Sequence, residues 1–144
     1  MNVLVIVHLE PDFSTREEPL DELVEKVIAY AESFDKVINI TSAGSLTGTA
    51  PYPELMNFRN EEWIWGFDAE AYLQEESGVW KEGVDYIPTT GHPYSEICDW
   101  MHQLSKFYEY TLVGGARCEC LQDVYEIFQH LNLKTGINNS LTYG

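Results

Sequence analysis

The sequence predicts an open α/β fold, a mainly parallel five-stranded sheet with helices on both faces in a three-layer, Rossmann-like arrangement. Three observations lead there. Short apolar runs rich in β-branched residues alternate along the chain with stretches of helical periodicity. The first run, Val3–Val7, contains no polar position, as a strand buried on both faces requires. The opening order of strand, helix and strand implies a right-handed parallel crossover.

The elements follow in chain order. The first strand covers about 3–8 and is broken by Glu10, Pro11, Asp12 and Phe13. A helix starts near Pro19, a residue suited to a first helical turn. It places Leu20, Leu23, Val24, Val27, Ile28 and Ala31 on one face and acids on the other. Lys36 to Thr41 reads as the second strand. The stretch 42–60 is rich in Gly, Ser, Thr and Pro, and is long enough to be a functional loop. Residues 61–76, with Trp63, Trp65, Phe67 and Tyr72, fit either a helix or irregular wrapping. A third strand is expected at 84–88 and a helix from Tyr94 to Lys106 through Ile97, Cys98, Met101 and Leu104. Tyr108–Val113 reads as the fourth strand, stopped by Gly114 and Gly115. A helix then runs to about Leu131 with Leu121, Val124, Tyr125 and Phe128 on one face, and a fifth strand follows near 135–142. With no repeat and no linker, residues 1–144 read as a single domain, of strand order about 3-2-1-4-5 and with the first strand central.

The chain carries 24 acidic against 8 basic side chains, a formal charge of -16. Nucleic-acid affinity rests on Lys and Arg displacing counterions, so a phosphate-binding surface is not expected. Docking on anionic lipid is disfavoured for the same reason. The acidity serves solubility, or else it forms a surface that mimics nucleic acid or docks a basic partner. Cys98, Cys118 and Cys120 are an odd number without a secreted-scaffold spacing, which suits a reducing compartment. The five apolar residues Val3–Val7 are too few for a signal or membrane segment. The expectation is a cytoplasmic protein.

In open α/β sheets ligands bind beyond the carboxyl ends of the strands. The expected strand ends bring forward three groups: His8, Glu10 and Asp12; Thr89, Thr90, Gly91 and His92; and Gly114–Cys120. These should converge although they are far apart in sequence.

Two of these segments carry a resemblance. Val113-Gly114-Gly115-Ala116-Arg117-Cys118-Glu119-Cys120 resembles the nucleophile turn of the isochorismatase-like cysteine hydrolases, which include the nicotinamidases. In that family a strand ends in Val-Gly and the nucleophilic cysteine follows six residues after the glycine, which here is Cys120. The first strand with Glu10-Pro11-Asp12-Phe13 resembles the family's opening motif, roughly Asp-Val-Gln-x-Asp-Phe. Counting back from Phe13, the family's catalytic aspartate falls on His8. The end of the third strand, where the family has its lysine, offers Thr89 and Thr90; Lys81 lies before that strand instead. The resemblance implies a short, divergent member of the superfamily, similar to truncated acidic versions found in phage. It also implies a homodimer, for which the aromatics Trp63, Trp65 and Phe67 would suit a contact.

A cysteine in the first turn of a helix meets free N–H groups and the positive end of the helix dipole, both of which favour the thiolate. Arg117 would add to this and Glu119 oppose it. Cys120 is then a nucleophile with neighbouring N–H groups as an oxyanion hole, or else a small residue packing under its helix. His8 would activate the thiol, with Glu10 or Asp12 orienting the ring. Thr90, His92, Gly115, Ala116 and Arg117 are the further substrate-contact candidates; His92 or Ser95 could equally cap the following helix. His8, His92 and Cys118 or Cys120 are zinc-type ligand residues, but no close ligand spacing supports them, so no metal and no cofactor are expected. Three functions stay open: a small-amide hydrolase acting through Cys120, a non-catalytic protein that binds a small-molecule ligand in the same pocket, or an acidic interaction protein of the phage-inhibitor type.

Overall fold

The computed structural model describes residues 1–41, 52–64 and 101–144. Within them the chain forms β1 (Asn2–Val7), a 3-10 turn (Pro11–Phe13), α1 (Asp21–Ala31), β2 (Lys36–Ile40), a second 3-10 turn (Pro53–Met56), β3 (Glu61–Ile64), β4 (Glu109–Gly115), α2 (Cys120–His130) and β5 (Lys134–Tyr143).

The five strands make one sheet in the order β3-β2-β1-β4-β5, every neighbouring pair parallel. β1 is central. Its apolar run is buried on both faces because each face carries its own core. Val3, Val5 and Val7 join Ile38, Ile40, Leu112 and the apolar face of α2. Leu4 and Ile6 join Val24 and Val27 of α1, with Leu55 and Leu141. Each such residue stabilises the fold by about 1.5–3 kcal/mol on full burial. The result is three layers, with α1 on one side of the sheet and α2 on the other.

Three elements depart from the sequence reading. The strand beside β2 is Glu61–Ile64, whereas the segment expected as third strand, 84–88, lies outside the described residues. β3 is short and lies at the edge of the sheet among the described residues: Lys36 at the start of β2 pairs with Glu62 at 2.8 Å, and burial pushes the Glu61 carboxyl upward from its ordinary pKa. Of the helix expected over 94–106, Met101 and His102 are helical, Gln103–Tyr108 form turns, and the residues before 101 are outside the described set. β4 does not stop at Val113 but runs through both glycines, Gly114 pairing with Val7 and Thr142 and Gly115 with Tyr143.

The glycines there are a geometric necessity. Gly114 has φ +101, and a Cβ on it would lie 2.1 Å from the carbonyl oxygen of Val7. A Cβ on Gly115 would meet the Tyr143 ring at 2.8 Å. No side chain fits between β1, β4 and β5 at this end of the sheet.

Candidate active site

The site is built where β1 ends. His8 follows Val7 in a left-handed conformation, φ 47. That conformation costs about 1–2 kcal/mol for a residue with a Cβ. It is held from both sides: the His8 N–H donates to the Ile40 carbonyl of β2 at 2.8 Å, and the Tyr143 hydroxyl donates to the His8 carbonyl. The turn carries the imidazole into the protein, where His8 is 5% exposed.

Behind it stands a buried carboxylate. Glu10 is 1% exposed; its Oε2 lies 3.3 Å from His8 Nδ1, and its Oε1 accepts a 2.7 Å hydrogen bond from the Thr41 hydroxyl at the end of β2. Thr41 is itself 1% exposed. A buried charge is tolerated only with such partners. The line Thr41–Glu10–His8 thus fixes the carboxylate from one side and offers it to the imidazole on the other.

The second half of the site follows β4. The strand ends at Gly115, the Gly115–Ala116 peptide is cis, and the chain turns through Arg117–Glu119 into α2 at Cys120. The Ala116 carbonyl accepts from the N–H groups of Glu119 and Leu121, both at 3.1 Å, which closes the turn. Cys120 is half-buried, partly packed against the α2-side core, at the helix's amino end. Cys118 is exposed, and among the described residues neither cysteine is in a disulfide. Since β1 and β4 are parallel neighbours with Val7 opposite Gly114, His8 and Cys120 both follow the carboxyl ends of adjacent strands.

β5 ties the halves together. The Arg117 N–H donates to the Tyr143 carbonyl at 2.9 Å, while its guanidinium donates to the Thr142 hydroxyl and carbonyl, both at 2.7 Å. The Tyr143 ring lies over Gly115 and stacks with Phe13 at a centroid distance of 6.3 Å; Phe13 in turn sits 6.0 Å from the His8 ring. Burial raises the Tyr143 pKa well above that of a free tyrosine, and negative charge on Glu10, Cys120 and Glu18 raises it further. Its phenol therefore stays a neutral donor.

Of the candidates from sequence, His8 and Glu10 touch. Gly115, Ala116, Arg117 and Cys120 share the turn after β4. Asp12 lies in the 3-10 turn Pro11–Phe13. Thr90 and His92 lie outside the described residues. The Arg117 guanidinium is engaged by Thr142. Thr41 and Tyr143 were not among the candidates, and no local pattern marks them. Among the described residues no group of three or more His, Cys, Asp or Glu could hold a metal ion, and no helix is long and apolar enough to cross a membrane.

No family model and no curated protein sequence matches this chain. A solved structure does. The crystal structure of an isochorismatase-like hydrolase from Alkaliphilus metalliredigens superposes with a TM-score of 0.57, covering 99% of this chain and 82% of that one. The fold is isochorismatase-like. Identity over the superposition is 12%, so the likeness is one of architecture. The two sequence segments that resembled this superfamily are those that end β1 and β4 on the same rim.

Proposed function

We propose that this protein is a divergent cysteine hydrolase that cleaves a small amide, or a related bond, through Cys120. The observation that carries the reading is the buried Thr41–Glu10–His8 line on the rim where α2 opens with a cysteine. A carboxylate beside Nδ1 favours the tautomer with hydrogen on that nitrogen and leaves Nε2 as the base. In the proposed reaction the imidazole takes the Cys120 proton and the sulfur attacks the amide carbonyl carbon. The imidazolium returns the proton to the leaving amine as the C–N bond breaks. Water, deprotonated by the same imidazole, then cleaves the thioester, releasing the acid and restoring the thiol. First-turn N–H groups of α2 other than that of Leu121, which is held by the Ala116 carbonyl, would stabilise the oxyanion. Here His8 stands where the isochorismatase-like family has its aspartate, so the base is an imidazole backed by Glu10.

Arg117 then acts by holding the turn to β5, and Tyr143 by fixing the His8 backbone; neither needs to touch substrate. A panel of small primary and secondary amides, read by amine release, tests the reading. Cys120→Ser should abolish turnover while leaving the fold intact, because the side chains are nearly isosteric. Turnover that survives the substitution would refute it. A ligand-binding role without catalysis is the second reading. It is favoured by the low exposure of His8 and by the Tyr143 hydroxyl on its carbonyl, which would hold a pocket as firmly as a catalytic site.

A further inference from the structure

The end of the sheet away from Cys120 holds a cavity of its own. It measures about 400 Å³ and opens between the last turns of α1, the start of β2 and residues 54–60. Small-ligand sites span roughly 300–1,000 Å³. Ile28 and Ala31 of α1, with Phe34 and Phe58, give the cavity apolar walls. Those walls are held in place. Phe34 meets the Tyr30 ring edge-on at 4.9 Å, and Phe34 and Phe58 both pack against the α1-side core. The Val37 N–H donates to the Asn60 carbonyl at 2.9 Å, and the Asn60 side-chain amide donates to the Asp35 carbonyl at 2.9 Å. The 54–60 segment is thereby fastened to the start of β2.

Charges of both signs line this cavity: Glu32, Asp35, Lys36, Glu54 and Arg59. Two of them are committed. The Asp35 carboxylate accepts from the Asn2 N–H at 2.8 Å, and Lys36 pairs with Glu62 at 2.8 Å. Glu32, Glu54 and Arg59 are exposed, and among the described residues none of the three forms a hydrogen bond or ion pair. Opposite charges that share one space yet stand beyond ion-pair distance complement a ligand that carries both. Glu32 lies at the carboxyl end of α1, the negative pole of the helix, which favours a cation. Arg59 comes from the other wall, shortly before β3, with a planar fork of donors suited to a carboxylate. We infer that this cavity binds a free α-amino acid with an apolar side chain. Its ammonium sits toward Glu32, its carboxylate on Arg59, and its side chain against the Phe34 and Phe58 rings. A carboxylate alone would face Glu32, Glu54 and the helix pole, and an amine alone would leave the guanidinium unmatched. The site stands apart from the Cys120 turn and does not depend on the hydrolase reading.

Amide NMR titration of the isotope-labelled full chain tests this with three probes. They are L-phenylalanine, phenylpropanoate, which lacks only the ammonium, and phenylethylamine, which lacks only the carboxylate. Phenylalanine should shift the amides of residues 31–36 and 57–60 saturably and leave those of 116–120 unmoved. Each analogue should bind about tenfold more weakly, the low end of what a hydrogen bond to a charged group contributes. Arg59→Gln should weaken phenylalanine by about the same factor and should not weaken phenylethylamine. The Glu32→Gln, Glu54→Gln double variant should weaken phenylalanine and should not weaken phenylpropanoate. All three positions are exposed, so the variants keep the fold. No shift up to the solubility limit of phenylalanine overturns the site. Shifts confined to residues 116–120 also overturn it, and assign the amino acid to the candidate active site instead. Analogues that bind as tightly as phenylalanine, or variants that bind it unchanged, overturn the amino-acid class.

Discussion

Replacing Tyr143 by phenylalanine isolates one hydroxyl group. The ring would keep its stack on Phe13 and its place over Gly115, so packing is preserved. What is lost is the hydrogen bond to the His8 carbonyl, the contact that helps hold His8 at φ 47. His8 is 5% exposed, so water does not readily take the place of the phenol. Losing the bond and leaving a buried acceptor unsatisfied costs about 1–3 kcal/mol. Urea unfolding followed by circular dichroism should show the midpoint falling by about 1 M at unchanged slope, given a typical slope of about 1–3 kcal/mol per molar. Tyr143→Ala would also remove the ring and cost about 3–5 kcal/mol. The difference between the variants separates the hydroxyl from the packing. A Tyr143→Phe protein within about 0.5 kcal/mol of the parent would refute the argument that this hydroxyl anchors the end of β1.

Gly114→Ala would place a Cβ 2.1 Å from the Val7 carbonyl oxygen at φ +101, adding left-handed strain to a backbone clash. A loss of about 2–5 kcal/mol is expected from the two effects together, measured by the same unfolding curves. Gly136→Ala is the control: nothing lies within 4 Å of its Cβ position, and the change should be neutral or slightly stabilising. Alkaline pH should weaken the fold. Burial pushes the Tyr110 phenol up to about 12 and Tyr143 higher still, against about 10 in the unfolded chain. The folded state therefore prefers the neutral phenols. Their contribution is complete below pH about 10 and is lost as pH rises through the folded values. Absorbance of tyrosinate during alkaline titration should rise together with loss of ellipticity for these two residues; tyrosinate from Tyr110 forming in a still-folded protein at pH about 10 would contradict it.

Four of the five strands were legible because each is buried on both faces or long enough to show it. β1 has five consecutive apolar residues, and β4 and β5 bracket a helix whose apolar face is regular. β3 was not legible. It begins with Glu61 and Glu62, has four residues, and owes its strand character to pairing with β2 in register, which no local pattern encodes. The same limit applied to the site. His8 and Cys120 could be put forward as candidates because a strand end and a helix start are local features. Thr41 reaches Glu10 across 31 positions, and Tyr143 reaches His8 across 135. Such contacts are made by the topology and leave no spacing in the sequence. Gly114 and Gly115 read as a strand terminator, since glycine weakens strands. In the fold they continue β4, because the close approach of Val7 and Tyr143 leaves no room for anything larger.

In the proposed reaction Cys120 is an activated thiol served by His8. The most direct measurement is the pH dependence of its alkylation by iodoacetamide in the native protein, read peptide by peptide. Cys120 should react in the folded state with a midpoint below the ordinary thiol value of about 8.5. His8→Ala should move that midpoint upward, because the imidazole no longer favours the thiolate. A Cys120 that resists iodoacetamide until the protein is unfolded, with no change on His8→Ala, would show the thiol to be core packing and contradict the claim.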